Sequence, residues 1–347
     1  MRCWWSAAGT TGTDRATGGK AVAQNINVDI SRTDAPDGPG EPAHRTRNTC
    51  PTCASHYRED EMVRNLRVCT NCGHHFPVTA RERILQLVDE GSFAEIAAGL
   101  HSSDPLVFTD SKPYPERIDA AVRSTGLRDA AVVGAAAIGG TPVALAVMDF
   151  SFLGGSMGSV VGEKFARAAD LALDRRLPLV SVSASGGARM QEGVLALMQM
   201  AKTVAAVDEL QEAARPFISV LVHPTTGGVA ASFAALGDVV MAEPGALLSF
   251  SGPRVVKQTT RESLPDDFGL SESNYRHGHV DLIVPRPELR DMVARVAAIL
   301  AGGSPYRPPS LVGEIDPVGA IGRALASVRR RVSGPKASRN GGPDVGD

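Results

Sequence analysis

The segment of residues 178–200, PLVSVSASGGARMQEGVLALMQM, limits the fold of this chain more than any other stretch. Residues 179–183 alternate apolar and small polar side chains, which predicts a β-strand. The residues that follow place apolar side chains on one face of a helix, namely Met190, Val194, Leu197 and Met198. Residues 185–188 between them are small, so another molecule can lie directly against the main chain. We therefore predict a strand that runs through a tight turn into a helix, as in α/β folds.

This turn is a candidate oxyanion hole. The first N–H groups of a helix lack internal partners, and the helix dipole favours negative charge at that end. We expect the main-chain N–H groups of Gly186 and Gly187 to stabilise an oxygen that gains charge during a reaction. Arg189 follows directly and offers a cation beside the pocket. The alternative is a plain tight turn, which occurs in any α/β sheet.

A second turn of the same kind lies about forty residues further on. There a buried strand, FISVLV, leads into HPTTGGVAASFAALGD, in which Gly227 and Gly228 precede a short helix of small residues. Strand, small-residue turn and helix, repeated, predict layered units stacked as a spiral with helix N-termini aimed at a common crevice. We expect Gly227 and Gly228 to form the wall that faces Gly186 and Gly187.

A glycine-rich loop, FLGGSMG, leads into a predicted helix at residues 159–175. It has neither the Lys-Ser or Lys-Thr end of a P-loop nor the spacing of a dinucleotide fingerprint, which disfavours ATP and NAD. The functional interpretation is close main-chain contact with a thin substrate; the alternative is an ordinary turn before a helix. The candidate substrate-binding residues of this loop are Gly154, Gly155, Ser156, Met157 and Gly158.

Four cysteines predict a structural zinc site. Cys50 and Cys53 form one C-x-x-C pair, Cys69 and Cys72 form another, and fifteen residues separate the pairs. Four thiolates at this spacing close a tetrahedron around Zn²⁺ and leave no open coordination position. The alternatives are chance spacing and a redox pair. The nearby histidines are expected at the surface: His56, His74 and His75.

The predicted ribbon carries local positive charge from Arg47, Arg58, Arg64 and Arg67. Such a module could bind nucleic acid or contact an anionic cofactor. Over the whole chain of 347 residues the formal charge is only −2, so no global basic field points to nucleic acid or a membrane as the main partner.

The composition and the ends of the chain define four regions. We expect a disordered extension at residues 1–48, a zinc ribbon at 49–76, a catalytic domain at 77–302 and a mobile tail at 303–347. The 43% apolar content supports a substantial core. The sequence contains no run of eighteen apolar residues, so we expect no membrane-spanning helix. The N-terminus does not read as a secretory signal, and paired free cysteines suit a reducing cytosol, so we expect a cytoplasmic protein.

Several long motifs, in order, resemble one known family. They are the four cysteines with MVRNLRVCTNCGHH, then DFSFLGGSMGSVVGEKF, SASGGARMQEG with LMQMAKT, PTTGGVAASFAALGDV, and SGPRVVKQT with LPDDFG. Together they look like the β subunits of multi-subunit acetyl-CoA carboxylases, the carboxyltransferase component. The resemblance covers residue 50 to about residue 300. It implies a crotonase-like ββα spiral with an N-terminal zinc ribbon.

The resemblance also implies an activity and partners. In the family, the β subunit binds acyl-CoA, and the α subunit receives carboxybiotin on the biotin carboxyl carrier protein. The carboxyl group moves from the biotin nitrogen to acetyl-CoA and gives malonyl-CoA for fatty acid synthesis. The base is the biotin nitrogen itself. A biotin carboxylase and an assembly of two α and two β subunits are further implied, so the chain alone is expected to be inactive.

The residues are compatible with this chemistry. An enolate formed beside a thioester needs fixed donors in a dry pocket. A hydratase of the same fold would need carboxylates placed to activate water. Residues 225–236 and 251–260 contain none, and Glu192, the nearest candidate, is expected on a helix surface. The CoA phosphates are expected to meet cations, with Arg189 favoured over Lys164, Arg254 and Lys257.

Two alternatives remain open at this stage. The first is a carboxyltransferase for a longer acyl-CoA such as propionyl-CoA, because pocket depth is not readable from the sequence. The second is a zinc-ribbon protein that binds nucleic acid and uses the spiral domain as a scaffold.

Overall fold

The computed structural model describes residues 48–261 and 263–302, and the predictions for the two tails lie outside these residues. The helices are α1 (Glu59–Arg64), α2 (Ala80–Leu87), α3 (Tyr114–Thr125), α4 (Ser159–Arg175), α5 (Gly193–Glu212), α6 (Gly227–Ala230), α7 (Pro253–Thr260), α8 (Ser271–Arg276) and α9 (Arg286–Leu300). The strands are β1 (Ala94–Ile96), β2 (Ala131–Ile138), β3 (Thr141–Met148), β4 (Leu179–Ser185), β5 (Phe217–Thr226), β6 (Val239–Ala242), β7 (Leu248–Ser249) and β8 (Leu282–Ile283).

One mixed sheet organises these elements. Its order is β1-β2-β3-β4-β5-β6-β8, and β7 pairs with the end of β5. The first three strands are antiparallel, while β3, β4, β5, β6 and β8 run parallel. This α/β architecture agrees with the predicted fold class. The carboxyl ends of the parallel strands meet at one edge, where ligand sites of such sheets lie.

The β2–β3 hairpin and the crossover helices form where the sequence predicts them. Gly139 and Gly140 both have positive φ and allow the tight turn between the paired strands. Strands β4 and β5 are buried through most of their length, as expected for a sheet covered on both faces. Helix α4 buries an apolar and alanine-rich face against the sheet, which lets helix and sheet approach closely.

One predicted strand is divided. The segment VVMAEPGALLSF forms β6 and then β7, and a turn at Pro244 and Gly245 separates them. Gly245 has φ of +67° and therefore leaves the extended conformation. The turn moves the chain from the side of β5 to its end, where β7 pairs with Thr225 and Thr226. β7 therefore pairs with the two residues that directly precede the second glycine turn.

A buried ionic cluster joins the cysteine-containing segment to the rest of the fold. The Arg286 guanidinium donates to both carboxylate oxygens of Glu243 at 2.8 Å, and it also donates to the carbonyls of Leu66, Arg67 and Phe76. Burial alone raises the pKa of Glu243, but Arg83 and Arg286 outweigh it and hold that pKa well below its ordinary value. The segment is thus fixed by paired charges as well as by packing.

Among the described residues, no helix is both long and apolar enough to cross a membrane.

Candidate active site

The two predicted glycine turns face each other at the carboxyl ends of β4 and β5. The strands are held together at this edge because Thr225 Oγ1 donates to the Ser183 carbonyl at 2.6 Å. A Cβ added to Gly187 would lie 3.1 Å from the Cα of Gly227, so the main chains of the two turns touch. The sequence prediction that these turns form facing walls agrees with this geometry.

The donor groups in the first turn differ from the sequence expectation. Gly186 N–H donates to the Gly154 carbonyl at 2.9 Å, and Gly187 N–H donates to Ser185 Oγ at 3.0 Å. In the second turn, Gly227 N–H donates to the Phe250 carbonyl at 3.0 Å. These three amides are already used inside the fold. The expectation that Gly186 and Gly187 donate directly to a substrate does not fit this hydrogen bonding.

Two neighbouring amides differ from these three. Within residues 48–261 and 263–302, no hydrogen-bond acceptor is found for the N–H groups of Ala188 and Gly228. A Cβ on Gly228 would lie 3.5 Å from Ala188 N, and a Cβ on Gly187 would lie 3.3 Å from Gly228 N. The two free amides therefore lie at the junction of the turns. The sequence analysis named Gly228 as a wall residue and did not name Ala188 as a donor, because only the tertiary contacts decide which amides are already bonded.

The glycine-rich loop packs against the first turn. A Cβ on Gly155 would lie 2.1 Å from the Ala184 carbonyl oxygen, and one on Gly158 would lie 2.3 Å from Glu192 Oε1. These glycines are needed for close approach of the chain to itself. Gly155, Met157 and Gly158 are buried, whereas Gly154 and Ser156 are half-buried.

Arg189 does not have the position that the sequence prediction gave it. Its side chain is fully buried, and the guanidinium donates to Asp129 Oδ1 at 2.7 Å and to Oδ2 at 3.0 Å. Burial alone lowers the pKa of Arg189, but the hydrogen bonds to Asp129 outweigh it and raise the pKa above its ordinary value. A fully paired, buried guanidinium cannot meet a CoA phosphate, so the assignment of Arg189 as a phosphate contact is corrected.

Glu192 is also buried, with 2% of its surface exposed, and the expected helix-surface position is wrong. Its Oε2 accepts hydrogen bonds from the N–H and Oγ of Ser159, both at 2.6 Å. Its Oε1 accepts a hydrogen bond from the Tyr114 hydroxyl at 2.8 Å. Burial beside this carboxylate raises the pKa of Tyr114 to about 12, so the phenol stays protonated and donates.

The other cations considered for CoA phosphates lie in different environments. Lys164 is buried and donates to the Ala131 carbonyl at 2.7 Å, and burial lowers its pKa. Lys257 on α7 is exposed. The side chain of Arg254 is not among those that the structure describes. Lys257 is thus the available cation among those whose side chains are described.

An exposed apolar face lies beside the first turn. We use this name for Met190, Val194, Leu197 and Met198, whose exposed fractions are between 56% and 64%. Val194, Leu197 and Met198 lie on α5 as the sequence predicted, but their side points away from the core; Met190 lies before α5 in a short 3-10 turn (Met190–Glu192), because Gly193 with φ of +51° interrupts the helix there. Large apolar side chains this exposed and this close together mark a contact surface rather than ordinary solvent-facing residues.

The four predicted zinc ligands come together. The Sγ atoms of Cys50, Cys53, Cys69 and Cys72 all lie within 4.8 Å of one another. Tetrahedral Zn–S bonds of about 2.3 Å place sulfur atoms at similar separations, so this donor set fits Zn²⁺. Hydrogen bonding, chiefly to Ser55, lowers the pKa of Cys53 to about 5, which favours the thiolate. A site with four sulfur donors is a structural one.

The described arginines of the ribbon are paired with carboxylates. Arg64 contacts Asp60 at 3.1 Å, and Arg67 contacts Glu59 at 2.5 Å and Glu82 at 2.6 Å. This pairing reduces the local positive charge that the sequence suggested. His75, expected at the surface, has a side chain only 6% exposed and lies 3.3 Å from Glu243, because the ribbon packs on the sheet domain there.

Together, the stacked strand–turn–helix units and the facing glycine turns define a crotonase-like α/β enzyme. A family model described as carboxyl transferase domain matches residues 77–302. The acetyl-coenzyme A carboxylase carboxyl transferase subunit beta of Citrifermentans bemidjiense is 50% identical over 285 residues, which are 80% of this chain and 99% of that protein. The chain therefore belongs to the carboxyl transferase family.

Two solved structures are similar. A transcarboxylase 12S structure with methylmalonyl-coenzyme A and methylmalonic acid bound is 28% identical at a TM-score of 0.53, and the match covers 63% of this chain and 42% of that one. A Pseudomonas malonate decarboxylase hetero-tetramer in complex with malonate is 26% identical at a TM-score of 0.52, and the match covers 76% of this chain and 92% of that one.

Proposed function

We propose that this protein is the β subunit of an acetyl-CoA carboxylase carboxyltransferase. It places a carboxyl group on the α-carbon of acetyl-CoA and forms malonyl-CoA for fatty acid synthesis. Carboxybiotin, held on a separate carrier protein, supplies the carboxyl group. The observation that carries this proposal is the pair of amides of Ala188 and Gly228, which lie at the junction of two glycine turns and have no acceptor within the described part of the chain.

The amides of Ala188 and Gly228 supply the chemistry that this chain contributes. When the α-carbon of the thioester loses a proton, negative charge moves onto the thioester oxygen. Two fixed N–H donors stabilise this oxygen without reorganisation during the reaction. Removing one such donor typically costs about a hundredfold to a thousandfold in rate. The glycines at 186, 187 and 227 supply the close walls that hold the donors in place.

Residues 225–236 and 251–260 contain no carboxylate that could act as a base. Glu192, the nearest candidate in the sequence, has both oxygens occupied by hydrogen bonds. This supports a mechanism in which the proton is taken by a group that arrives with the second substrate. It also supports carboxylation over hydration within this fold.

Acyl-CoA binding is proposed along the glycine-rich loop. Gly154 and Ser156 are half-buried, and Gly155, Met157 and Gly158 shape the loop by packing against the first turn and the segment after it. Lys257 is the candidate contact for a CoA phosphate. Propionyl-CoA stays an alternative substrate, because the sequence does not give the depth of the acyl pocket.

The proposed partners are an α subunit, the biotin carboxyl carrier protein and a biotin carboxylase, with two α and two β subunits in the carboxyltransferase. The exposed apolar face supports a partner subunit, because it lies next to the site and stays uncovered in the single chain. We further propose a cytoplasmic location and a structural zinc ion on the four cysteines. Nucleic-acid binding by the ribbon is a weaker alternative, since its described arginines form ion pairs.

Reconstitution tests the proposal. The chain is combined with an α subunit and carboxybiotinylated carrier, and malonyl-CoA formation is measured with acetyl-CoA and, separately, with propionyl-CoA. Malonyl-CoA formation that requires both subunits supports the assignment. Turnover of propionyl-CoA alone favours the alternative substrate. Absence of turnover together with salt-dependent binding of RNA would favour the nucleic-acid alternative.

A further inference from the structure

We propose that Arg189 and Glu192 are positioning residues, which hold the glycine-rich loop against the first glycine turn and so fix the direction of the Ala188 amide. This inference rests on the proposed function. Neither side chain is accessible to substrate, so each acts through the main chain that it orients.

Arg189 connects the turn to the loop through both its main chain and its side chain. Its N–H donates to the Met157 carbonyl at 2.9 Å, while Met157 N–H donates to the Gly187 carbonyl at 2.8 Å. Its guanidinium donates to the Ser156 carbonyl at 2.8 Å and to Ser156 Oγ at 3.1 Å. Ala188 lies between these two main-chain bonds, so its own N–H direction follows the position of residues 156 and 157.

Asp129 fixes the guanidinium itself. The two side chains form a bidentate pair, and both are fully buried. Bidentate pairing determines the plane of a guanidinium as well as its location. Because Asp129 lies two residues before β2, the sheet sets the position of Arg189.

Glu192 caps the N-terminus of α4 by accepting hydrogen bonds from Ser159. Gly158, the N-cap residue of this seventeen-residue helix, has no side chain to accept the first N–H groups. Glu192 supplies the missing acceptor from a distant part of the chain, and its negative charge is favourable at the positive end of the helix dipole. Tyr114 and Ser102 then hold its other oxygen. The carboxylate thus locks the end of the loop to the segment that follows the turn.

This arrangement predicts an effect on turnover that exceeds its effect on binding. The loop and turn can still form an approximate crevice without the two side chains, but the donors would no longer point at the thioester oxygen. A displacement of about 1 Å in a reacting geometry can cost on the order of a hundredfold in rate. A residue that only stabilises the fold would instead change the amount of folded protein.

The test compares kcat, KM for acetyl-CoA and Tm in the reconstituted complex. Glu192→Gln keeps the size of the side chain but loses the charge and one acceptor, and Arg189→Lys keeps the charge but loses the bidentate pair. We expect each to lower kcat by about tenfold to a hundredfold and to change KM by less than about threefold. Tyr114→Phe removes a single hydroxyl and should lower kcat by about twofold to fivefold.

The matched control is Glu243→Gln. Glu243 is similarly buried and is paired with Arg83 at 2.7 Å and with Arg286 at 2.8 Å, but it lies in the cluster that holds the ribbon. We expect this variant to lower Tm while kcat per folded protein stays at the wild-type value. Wild-type kcat in Glu192→Gln and Arg189→Lys, or an equal loss of kcat in Glu243→Gln, would overturn the inference.

If the two stronger variants do not fold, Tyr114→Phe and Ser102→Ala decide the matter, because each removes one hydroxyl only. Wild-type kcat in both would overturn the inference. A wild-type complex that does not carboxylate acetyl-CoA would refute the proposed function instead. The two failures are therefore distinguishable.

Discussion

Gly187 and Gly227 touch through their main chains: a Cβ on Gly227 would lie 2.9 Å from Gly187 Cα. Both residues have positive φ, +117° and +61°, a region that other residues rarely adopt. The contact brings the ends of β4 and β5 together and places the two free amides side by side. Any side chain at this point would push the walls of the crevice apart.

Gly227→Ala should therefore damage activity more than stability. We expect a loss of about a hundredfold in kcat, because displaced walls misplace a donor, and a destabilisation of about 1–2 kcal/mol from the left-handed backbone. Turnover of the reconstituted complex and thermal unfolding measure the two effects. Gly99→Ala is the control, since a Cβ there meets no atom within 4 Å. Equal behaviour of the two variants would contradict the close-wall geometry.

The exposed apolar face gives a prediction about assembly. Leu197→Asp should prevent co-purification with the α subunit, because a charge would be buried at the contact. The free chain should change by less than about 0.5 kcal/mol in stability, as is usual for an exposed position. Leu85→Asp on α2 is a matched control with the same 56% exposure. Size-exclusion chromatography of the mixed subunits distinguishes them, and an intact complex with Leu197→Asp would refute the contact.

The cysteine cluster predicts one zinc ion per chain. Cys69→Ser should abolish stoichiometric zinc and lower Tm, because metal binding is coupled to folding of such modules and because Arg286 bonds carbonyls of this segment. Zinc content is measured by metal analysis after gel filtration. Cys3→Ser, a cysteine outside the cluster, should keep its zinc. Retention of one zinc ion by Cys69→Ser would argue against a four-thiolate site.

Asp89 predicts a pH dependence of stability. Burial alone raises its pKa, but the N–H groups of Gly140 and Gly139 and the Arg290 guanidinium outweigh it and lower the pKa below 3.8. Its contribution is therefore present above pH 3.8 and is lost as pH falls through the folded value.

Asp89→Asn should cost about 1–2 kcal/mol at pH 7. That difference from the wild type should shrink below pH 3.8 in urea unfolding. Asp119→Asn is the control, because no hydrogen bond or ion pair of this exposed carboxylate is found within the described residues. A difference that stays constant down to pH 2 would contradict the assignment.

Much of the fold was predictable because its signals are local. The alternation in β4 and the turn at Gly139 and Gly140 follow from neighbouring residues and form where they were expected. The apolar spacing predicted most of α5, which begins at Gly193 and not at Met190. The cysteine spacing is equally local, since four sulfur ligands need only two short turns. The break between β6 and β7 was missed because the strand signal continues through it.

The roles of charged residues were not predictable in the same way. The sequence predicted Arg189 as a cation beside the pocket and Glu192 as a helix-surface charge, but their partners Asp129 and Tyr114 lie 60 and 78 residues away. His75 looked exposed because Glu243 is far away in sequence. Whether a charge faces solvent depends on what the fold brings to it, and no short pattern contains that information.

The amino-acid sequence alone determined the layered α/β architecture, the cysteine site and the two glycine turns, because spacing and residue size act over a few positions. Only the tertiary structure decided which amides remain free. The N–H groups of Gly186 and Gly187 donate to the Gly154 carbonyl and to Ser185 Oγ, whereas no acceptor for the Ala188 N–H is found within the described residues. The physical reason is that an N–H group bonded to one acceptor is not available to another. The acceptors here lie on a separate loop and a strand, and only the tertiary structure decides which amide each one meets.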